Sequence, residues 1–457
     1  MKIELIMNFP LTDAGNAERL EAMLSECWKF LPAINKWIKW TGQRWEEQDE
    51  PALYVAAAEA LRKMADEIDL LPRSPDKGER ERRNRILNWL EKSENAGKIK
   101  NAAVFLRDLL KDDYTEYDSD PFLLNCQNGT LNLTTGILKP HDKADKLMKI
   151  CSVPYIESPT STLWAETVEQ ILPDPNVRHW LQKFVGSCMT GSTQEEKFII
   201  AYGPGGRGKG TFWETIAAVL ADFKTVLPID ILLTSGITDT GNGPTPELAK
   251  LPGKRLVLSS ESGKGRRLDE AKVKLLTGGD VITARRLQCD PFEFRPAFKL
   301  VLQTNYLPSL TDSLDLGIQR RTVIIPFTAN LDTDIKLKSE LLKPENLIAC
   351  LSWCVTGCRD WINSGLGDVP PAAKAAAEAY YRENDLLGQW LEERTEKCDG
   401  CFLLFDKALS DFNEWLTVGG TGTRYQRKGF AEAMERHGKA RIRKNTGNGY
   451  PSLCLRF

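Results

Sequence analysis

Residues 197–213 read KFIIAYGPGGRGKGTFW, and this stretch decides the fold. It begins with an apolar, β-prone run, continues with four glycines within six positions, and then carries a lysine, a glycine and a threonine. Because glycine loses more conformational freedom on folding than any other residue, such a cluster is favoured where the backbone must approach a ligand closely. A strand, a glycine-rich loop and a helix starting near Thr211 together predict a phosphate-binding loop.

The loop residues indicate a triphosphate ligand. Glycines let backbone N–H groups point at phosphate oxygens, and the positive end of the following helix strengthens the attraction. Lys209 can reach the terminal phosphates, while the hydroxyl that normally helps to hold Mg²⁺ comes one position late, at Thr211, because Gly210 follows the lysine. Either Thr211 takes that role through a shifted turn or a water does. We predict ATP and Mg²⁺ as cofactors, with nucleotide-binding residues Gly203, Pro204, Gly205, Gly206, Arg207, Gly208, Lys209, Gly210, Thr211 and Phe212.

Polar residues at the ends of other apolar runs extend this site. Glu261 follows RLVLSS, Asn305 follows LVLQT, and Arg320 with Arg321 precedes TVIIPF. A carboxylate here can polarise the attacking water or join Thr211 on Mg²⁺, and an amide can contact the γ-phosphate. An arginine supplied to a neighbouring subunit's nucleotide neutralises transition-state charge. Each residue alone is more often simply exposed, so their spacing after the loop is what makes them catalytic candidates alongside Lys209.

Composition is that of a globular protein without membrane segments. The chain has 457 residues, of which 42% are hydrophobic and 27% charged. Since no apolar run is long enough to span a membrane and no signal-peptide pattern opens the sequence, the prediction is a cytoplasmic protein. Among the eleven cysteines, Cys350, Cys354 and Cys358 fall on one helical face and predict core packing. Cys398 and Cys401 form a single CxxC, for which a turn is favoured over a metal site that needs four ligands.

The pattern of apolar runs divides the chain into five regions. Residues 1–115 are mostly helical, with WIKWTGQRW as a hairpin, and 116–195 combine short strands broken by turns with helices. Residues 196–330 alternate helices with near-continuous apolar strands, as in a mostly parallel sheet covered on both faces. A helical segment follows over 331–395. The last sixty or so residues predict three helices followed by two strands around a Gly-Asn turn, the pattern of a winged helix.

The C-terminal region 396–457 is locally basic although the net charge is −2. Residues 424–444 hold eight lysines or arginines and two glutamates. Such a patch is an electrostatic footprint for nucleic acid, with a solvated basic face as the alternative. We therefore predict DNA contacts at Arg441, Arg443 and Lys444.

The ordered blocks GPGGRGKGT, KRLVLSSES, KLLTGGDVITARRL, FKLVLQTNYLP and RRTVIIPF resemble the superfamily 3 helicase domain of phage- and plasmid-encoded primase–helicases. KLLTGGDVI is the most specific of them. The block at residues 120–142, DPFLLNCQNGTLNLTTGILKPHD, is similar to the poxvirus D5-like region that precedes this ATPase, and FPLTDAGNAERL resembles the linker before it. The basic tail resembles the family's winged helix, so the resemblance covers nearly the whole chain.

The resemblance implies an α/β fold: an AAA+-like P-loop ATPase core with a mostly parallel sheet, a helical N-terminal region and a C-terminal winged helix. It implies a replicative helicase that forms a homo-hexamer on single-stranded or forked DNA and translocates by ATP hydrolysis in a bacterial host. Lys274 belongs to the family's third block, and the hairpin after it corresponds to the one that grips DNA in the channel. We expect Arg285, Arg286 and Arg295 to contact DNA, with Phe292 and Phe294 in the core.

Two other functions stay open. A P-loop kinase would use the same loop but gives no reason for the basic tail. An origin-binding initiator would use ATP only as an assembly switch, an option that the single carboxylate of the second block allows. A primase domain is expected to be absent, because the three histidines do not accompany an acidic cluster, and a separate primase is a possible partner.

Overall fold

The structure is a computed structural model. It describes residues 2–234, 245–260, 263–286, 291–331, 335–420, 424–445 and 447–456. Its elements are numbered below in chain order.

The N-terminal region packs five helices against a small antiparallel sheet. The predicted WIKWTGQRW hairpin is confirmed, since Trp40 pairs with Trp45 across its turn. The larger of its cores includes Trp37, Leu61 and Leu106, each at most 2% exposed. The elements are α1 (Lys2–Asn8), α2 (Asp13–Leu24), β1 (Trp28–Leu31), β2 (Lys36–Trp40), β3 (Trp45–Gln48), α3 (Glu50–Asp69), α4 (Lys77–Ser93) and α5 (Ala96–Leu109).

A second small antiparallel sheet and two helices connect this region to the central sheet. The turn signals predicted here separate β4 from β5 at Asn128 and Gly129, and Gly129 has φ +151°, which favours glycine. A Cβ there would also lie 2.3 Å from the backbone oxygen of Lys139. The elements are β4 (Leu123–Cys126), β5 (Gly129–Asn132), β6 (Leu138–Lys139), α6 (Leu163–Ile171) and α7 (Pro175–Ser187).

The central sheet has five parallel strands, as the five apolar runs predict. Counted along the chain, their spatial order is 5-1-4-3-2, which confirms the expected AAA+-like α/β core. Four of the strands are almost entirely buried because helices or other segments cover both faces, whereas the edge strand β8 is partly exposed. The elements are β7 (Phe198–Tyr202), α8 (Lys209–Leu220), β8 (Lys224–Val226), β9 (Leu256–Ser260), α9 (Glu270–Thr277), β10 (Ile282–Arg285), β11 (Pro291–Phe294), β12 (Lys299–Thr304), α10 (Leu316–Gln319) and β13 (Thr322–Pro326).

Three helices follow the sheet: α11 (Ile335–Leu341), α12 (Pro344–Ser364) and α13 (Pro371–Asn384). Helix α12 is the longest described helix, and neither it nor any other described helix is long and apolar enough to cross a membrane. It packs closely on α7, where a Cβ on Gly186 would lie 2.1 Å from the backbone nitrogen of Cys358. The cysteines at 350, 354 and 358 are fully buried, which confirms their predicted packing role.

The C-terminal unit differs from its prediction at its first elements. Helix α14 (Leu386–Arg394) is followed by a strand, β14 (Thr395–Leu404), before α15 (Phe405–Val418) and α16 (Arg427–Arg436). Strands β15 (Ile442–Lys444) and β16 (Gly447–Leu455) complete a sheet of order β14-β16-β15. The predicted run of three helices is therefore wrong at 395–404, where pairing with β16 overrides local preference. Trp390 lies in the core of this unit, so the unit begins at α14 and not at 396.

Candidate nucleotide-binding site

The glycine loop between β7 and α8 is closely walled on two sides and open on a third. Gly203 has φ +151°, and a Cβ there would lie 2.2 Å from the backbone oxygen of Phe327. Gly208 has φ +80°, and its Cβ would lie 2.6 Å from the side chain of Ile171. Gly205 and Gly206 have nothing within 4 Å of such an atom. Glycine is thus required sterically at both ends, while the middle leaves room for a ligand.

Lys209 lies across this loop and carries a buried charge. Its side-chain nitrogen Nζ donates hydrogen bonds to the backbone oxygens of Gly203 and Pro204, at 2.8 Å for Pro204, and to Oδ1 of Asn305 at 3.0 Å. Lys209 is only 8% exposed, and burial lowers the pKa of its amine below the ordinary value. Within the described ranges these acceptors are neutral oxygens. An anion bound in the loop would therefore remove an electrostatic penalty that the apo protein retains.

Asn305 reaches the loop because the carboxyl ends of the parallel strands share one edge of the sheet. Strands β7 and β12 are paired in register up to Tyr202 and Thr304, and the N–H of Gly203 donates to the backbone oxygen of Thr304 at 3.3 Å. Asn305 follows directly, so its amide lies next to Lys209. Glu261 follows Ser260, the last residue of β9, but lies outside the described residues. Its catalytic and metal-binding roles stay predictions.

Helix α8 begins at Lys209, two residues before the predicted start, because Gly208 adopts the left-handed conformation that ends the loop. By helical geometry, N–H groups of the first turn have no acceptor within the helix, and they face the loop as potential anion donors. The N–H of Phe212 is already bonded to the backbone oxygen of Gly208 at 2.9 Å. The Phe212 ring is fully buried and stacks on Trp164 at 5.6 Å between centroids. The ring therefore packs in the core and does not face the loop, so the predicted nucleotide contact of Phe212 stays a prediction for its backbone only.

Other loop residues lie where they can support a ligand. Arg207 donates to the backbone oxygen of Ala329 at 3.2 Å and to the side chain of Asn330, which ties the loop to the segment after β13. Thr211 is half-buried in the first turn of α8. A Cβ on Gly210 would lie 3.2 Å from Glu214, so the glycine in the usual hydroxyl position leaves little space for a larger residue.

Arg320 and Arg321 lie at the opposite edge of the sheet. They precede β13, whose first residue pairs with Phe198 at the start of β7. One oxygen of Glu196 accepts from Nη2 of Arg320 at 2.9 Å and from Nη2 of Arg321 at 2.7 Å. The two side chains differ in exposure, 65% for Arg320 against 10% for Arg321. Within one chain, therefore, the structure does not bring these two arginines to the glycine loop.

Two expected DNA-binding positions are occupied by internal contacts. Lys274 in α9 forms an ion pair of 2.7 Å with Asp315, the residue that caps α10. Burial alone would raise the pKa of Asp315, but hydrogen bonds from Lys274 and from backbone N–H groups outweigh it and lower the pKa. Arg295 donates to the backbone oxygen of Gly279 at 2.8 Å, although it remains exposed.

The hairpin β10–β11 presents two different faces. Ile282 and Ala284 are buried, and Phe294 packs partly against the core that includes Ile282, as predicted for it. Phe292 is half-buried and does not join that core, so its predicted core position is not confirmed. Arg285 is exposed, and the guanidinium of Arg286 lies 5.5 Å from the centroid of Phe292. The hairpin tip, residues 287–290, is outside the described residues.

The predicted cations of the C-terminal unit lie on its edge strand. All residues of β15 are exposed, including Arg443 and Lys444. Arg441 lies over the ring of Phe405 at 5.2 Å, and Lys444 over Phe402 at 4.7 Å. Arg443 and Lys444 thus lie on one exposed strand, and Arg441 lies directly before it.

Two residues at the edges of the sheet were not singled out from the sequence. Glu196 is the shared partner of both arginines, and Ile171 is the wall that forbids a side chain at Gly208. Ile171 reads as an ordinary core residue of α6. Glu196 adopts φ +49° two residues before the start of β7, but nothing in the local sequence predicts its pairing with residues more than 120 positions away.

Two different family models match consecutive parts of the chain. A family described as D5 N terminal like matches residues 17–184. A second family, described as one of unknown function, matches residues 201–321, which include the glycine loop and both arginines.

Several viral proteins are similar to this chain. A helicase-named protein of Acanthamoeba polyphaga mimivirus, L207/L206, is 30% identical over 237 residues, which are 50% of this chain and 24% of that protein. The helicase-named 022R of Frog virus 3 is 26% identical over 62% of this chain and 31% of its own length. The primase-named C962R of African swine fever virus is 25% identical over 66% of this chain and 34% of its own.

The chain thus spans between 24% and 34% of the length of these three relatives. A more distant structural neighbour is the apo C-terminal region of NrS-1, with a TM-score of 0.49 and 10% identity over 94% of this chain and 97% of that one. Residues 17–184 therefore match the D5 N terminal like family, and the chain is similar to viral proteins named for helicase and primase roles.

Proposed function

We propose that this protein is an ATP-dependent DNA helicase of the superfamily 3 type, acting in replication. The observation that carries the proposal is the buried ammonium of Lys209, held by neutral oxygens inside a glycine loop at a helix N-terminus. A charge of this kind is stabilised best by a polyphosphate. The viral relatives named as helicases support the replication role.

Each proposed role follows from the position of a side chain. Lys209 moves its hydrogen bonds from the loop carbonyls to phosphate oxygens, and Asn305 stays within reach of the same charge. Thr211 would hold Mg²⁺ with Glu261, and the oxygen-bearing hydroxyl and carboxylate suit that ion. The bound ion supplies charge neutralisation on the phosphates. The loop N–H groups orient the triphosphate, which is the main contribution that a protein makes to phosphoryl transfer.

Assembly into a homo-hexamer is part of the proposal, because the arginines are on the wrong edge for their own pocket. Arg320 projects from the sheet with its side chain mostly exposed, whereas Arg321 is buried against Glu196 and the backbone of Gly317. We therefore assign the finger to Arg320, which a neighbouring subunit's nucleotide would detach from Glu196. Arg321 would position it.

Two surfaces are proposed to bind single-stranded or forked DNA. The first is the hairpin β10–β11, where Arg285 and Arg286 would supply phosphate contacts. Arg295 would hold the start of this hairpin through its hydrogen bond to the backbone oxygen of Gly279. The second is the C-terminal unit, whose order helix, strand, helix, helix, strand, strand with a β14-β16-β15 sheet supports a winged-helix reader. Arg441, Arg443 and Lys444 would contact DNA from its edge strand.

Nucleotide hydrolysis with and without single-stranded DNA tests the proposal. The wild type should hydrolyse ATP faster when DNA is added, and Lys209→Ala should lose hydrolysis by at least about a hundredfold. Lys77→Ala is a matched control, because that lysine is highly exposed and far along the chain from the loop. Hydrolysis that responds to a small hydroxyl acceptor instead of DNA would support the kinase alternative and contradict ours.

An origin-binding initiator remains the second candidate, favoured by the basic edge strand β15. Its signature would be ATP-dependent assembly on duplex DNA without strand separation. A forked-DNA unwinding assay therefore distinguishes the two, since a helicase separates the strands and an initiator does not.

Cellular context and a separate primase stay predictions. Placement in the cytoplasm of a bacterial host is not supported specifically, because the similar proteins come from viruses of eukaryotes.

A further inference from the structure

Strand β14 interrupts its pairing with β16 to make a short loop. Lys397 pairs with Leu453, and the next paired residue, Phe402, lies opposite Pro451. The four residues 398–401, with sequence CDGC, therefore stand opposite Ser452 alone. Gly400 has φ +81° and open space around it. The chain thus folds back on itself within four residues and brings Cys398 and Cys401 together, where the structure joins them as a disulfide.

A third sulfur from the end of the chain meets this pair. The Sγ atoms of Cys398, Cys401 and Cys454 all lie within 4.8 Å of one another, and the three residues are half-buried. Cys454 is on the neighbouring strand, directly opposite Glu396. A Glu396 carboxylate oxygen, Oε1, lies 3.7 Å from the Cys454 sulfur. Three cysteine sulfurs therefore converge, and a carboxylate oxygen lies next to one of them.

A disulfide between Cys398 and Cys401 explains the position of two of these sulfurs but not that of Cys454. A tetrahedral metal site accounts for all four groups, because two sulfurs on one Zn²⁺ at about 2.3 Å each are separated by about 3.8 Å. Thiolate ligands select soft or borderline metals such as zinc. Of the other described cysteines, all but Cys27 are buried free thiols, so the rest of the chain also favours the reduced state.

We propose that this cluster is a structural zinc site with Cys398, Cys401 and Cys454 as thiolate ligands and Glu396 as the fourth ligand. Binding requires the dithiol form of the CDGC pair, maintained by a thiol or phosphine reductant, and it releases the thiol protons to solvent. The metal would fasten the loop of β14 to the last strand, next to the basic edge strand β15. The proposal is independent of the nucleotide site.

The test is metal content in the full chain, purified with a phosphine reductant. Wild type and Cys27→Ser, an exposed cysteine elsewhere, should both contain about one zinc per chain by elemental analysis. Cys454→Ser should lose at least tenfold in zinc affinity, and Cys454→His should recover most of it because imidazole is also a zinc ligand. Cobalt(II) titration should give strong sulfur-to-cobalt charge-transfer absorption in wild type, weaker in Cys454→His and Cys454→Ser.

Glu396→Gln tests the site even if the Cys454 variants fail to fold, because it keeps all three cysteines and removes only the carboxylate. It should alter the visible cobalt spectrum and weaken zinc binding while the thermal unfolding of the ATPase core is unchanged. Either of two results would overturn the proposal: wild type with all three cluster cysteines reduced that binds no zinc in excess metal, or Cys454→Ser with the affinity of wild type.

Discussion

The two edges of the parallel sheet both carry cationic side chains, and they hold them differently. At the carboxyl edge, Lys209 is buried among neutral oxygens, and burial lowers the pKa of its amine. At the amino edge, Arg320 and Arg321 share the carboxylate of Glu196. The first charge is arranged to gain from an added anion, and the second pair is already partly neutralised. The difference favours the carboxyl edge as the proposed nucleotide site and the amino edge as the surface proposed to meet a neighbouring subunit.

The largest expected effect comes from closing the loop sterically. Gly208→Ala forces a left-handed residue against Ile171, which should cost about 3 kcal/mol of stability from backbone and packing strain together. The loop should lose nucleotide affinity beyond detection. Gly205→Ala is the matched control, because a Cβ there meets nothing within 4 Å. Thermal unfolding and nucleotide titration check both variants, and a Gly208→Ala protein that binds ATP normally would contradict the described loop geometry.

Asn305→Asp makes the carboxyl edge resemble the amino edge. The new carboxylate would lie about 3.0 Å from the Lys209 ammonium and compete with phosphate for it. Because of this competition ATP affinity should fall by at least about tenfold, which corresponds to about 1.4 kcal/mol of binding free energy. Asn305→Ala removes the hydrogen bond without adding charge, so it should weaken binding less. Equal affinities for the two variants would show that charge at this position does not matter.

Substitutions of Arg320 and Arg321 should have different effects, one mainly on catalysis and the other mainly on stability. Arg321→Ala should lower the free energy of unfolding by about 1–2 kcal/mol, since it removes a mostly buried hydrogen-bonding group. Arg320→Ala should change stability by less than about 0.5 kcal/mol, because an exposed ion pair contributes little. Thermal unfolding measures both changes in stability. ATP hydrolysis in rings mixed with Lys209→Ala subunits tests the catalytic role of Arg320: activity of Arg320→Ala subunits should be rescued there if the arginine acts on a neighbour's nucleotide.

The smallest effect is a pH dependence at Lys209. In the apo protein burial lowers the pKa of this amine below 10.5, whereas bound phosphate would restore it. Between these values nucleotide binding takes up a proton, so affinity should fall as pH rises toward 10.5. By the same linkage, the unfavourable contribution of Lys209 to apo stability should diminish over that range. Calorimetry in two buffers of different ionisation enthalpy measures the proton uptake, which Lys209→Arg should abolish.

The parts of the fold that the sequence predicted share a local cause. Strands such as Phe198–Tyr202 are apolar along their whole length because both faces are buried, and this leaves an unambiguous pattern. The glycines of the loop were equally informative, since two of them are required by close contacts. The core position of the Phe212 ring was not predicted, because adjacency to the loop does not indicate which way a side chain points.

The parts that escaped prediction depend on distant partners. Strand β14 includes a polar, glycine-containing stretch, and only pairing with β16 makes it extended. Cys454 joins Cys398 and Cys401 from more than fifty residues away, which a search for a second nearby CxxC cannot reveal. Glu261 and the hairpin tip at 287–290 lie outside the described residues, so those expectations stay predictions.

The contact at Gly203 has a mechanical consequence. The first glycine of the loop is pressed against the backbone of Phe327, and β13 is bonded in register to β7 from Thr322 to Pro326. The same short strand has Arg320 and Arg321 just before its other end. A displacement of Gly203 by a filled pocket would therefore act on β13, which ends near the arginines that we propose to face a neighbouring subunit. In the proposed ring, this strand would couple nucleotide binding in one protomer to the next.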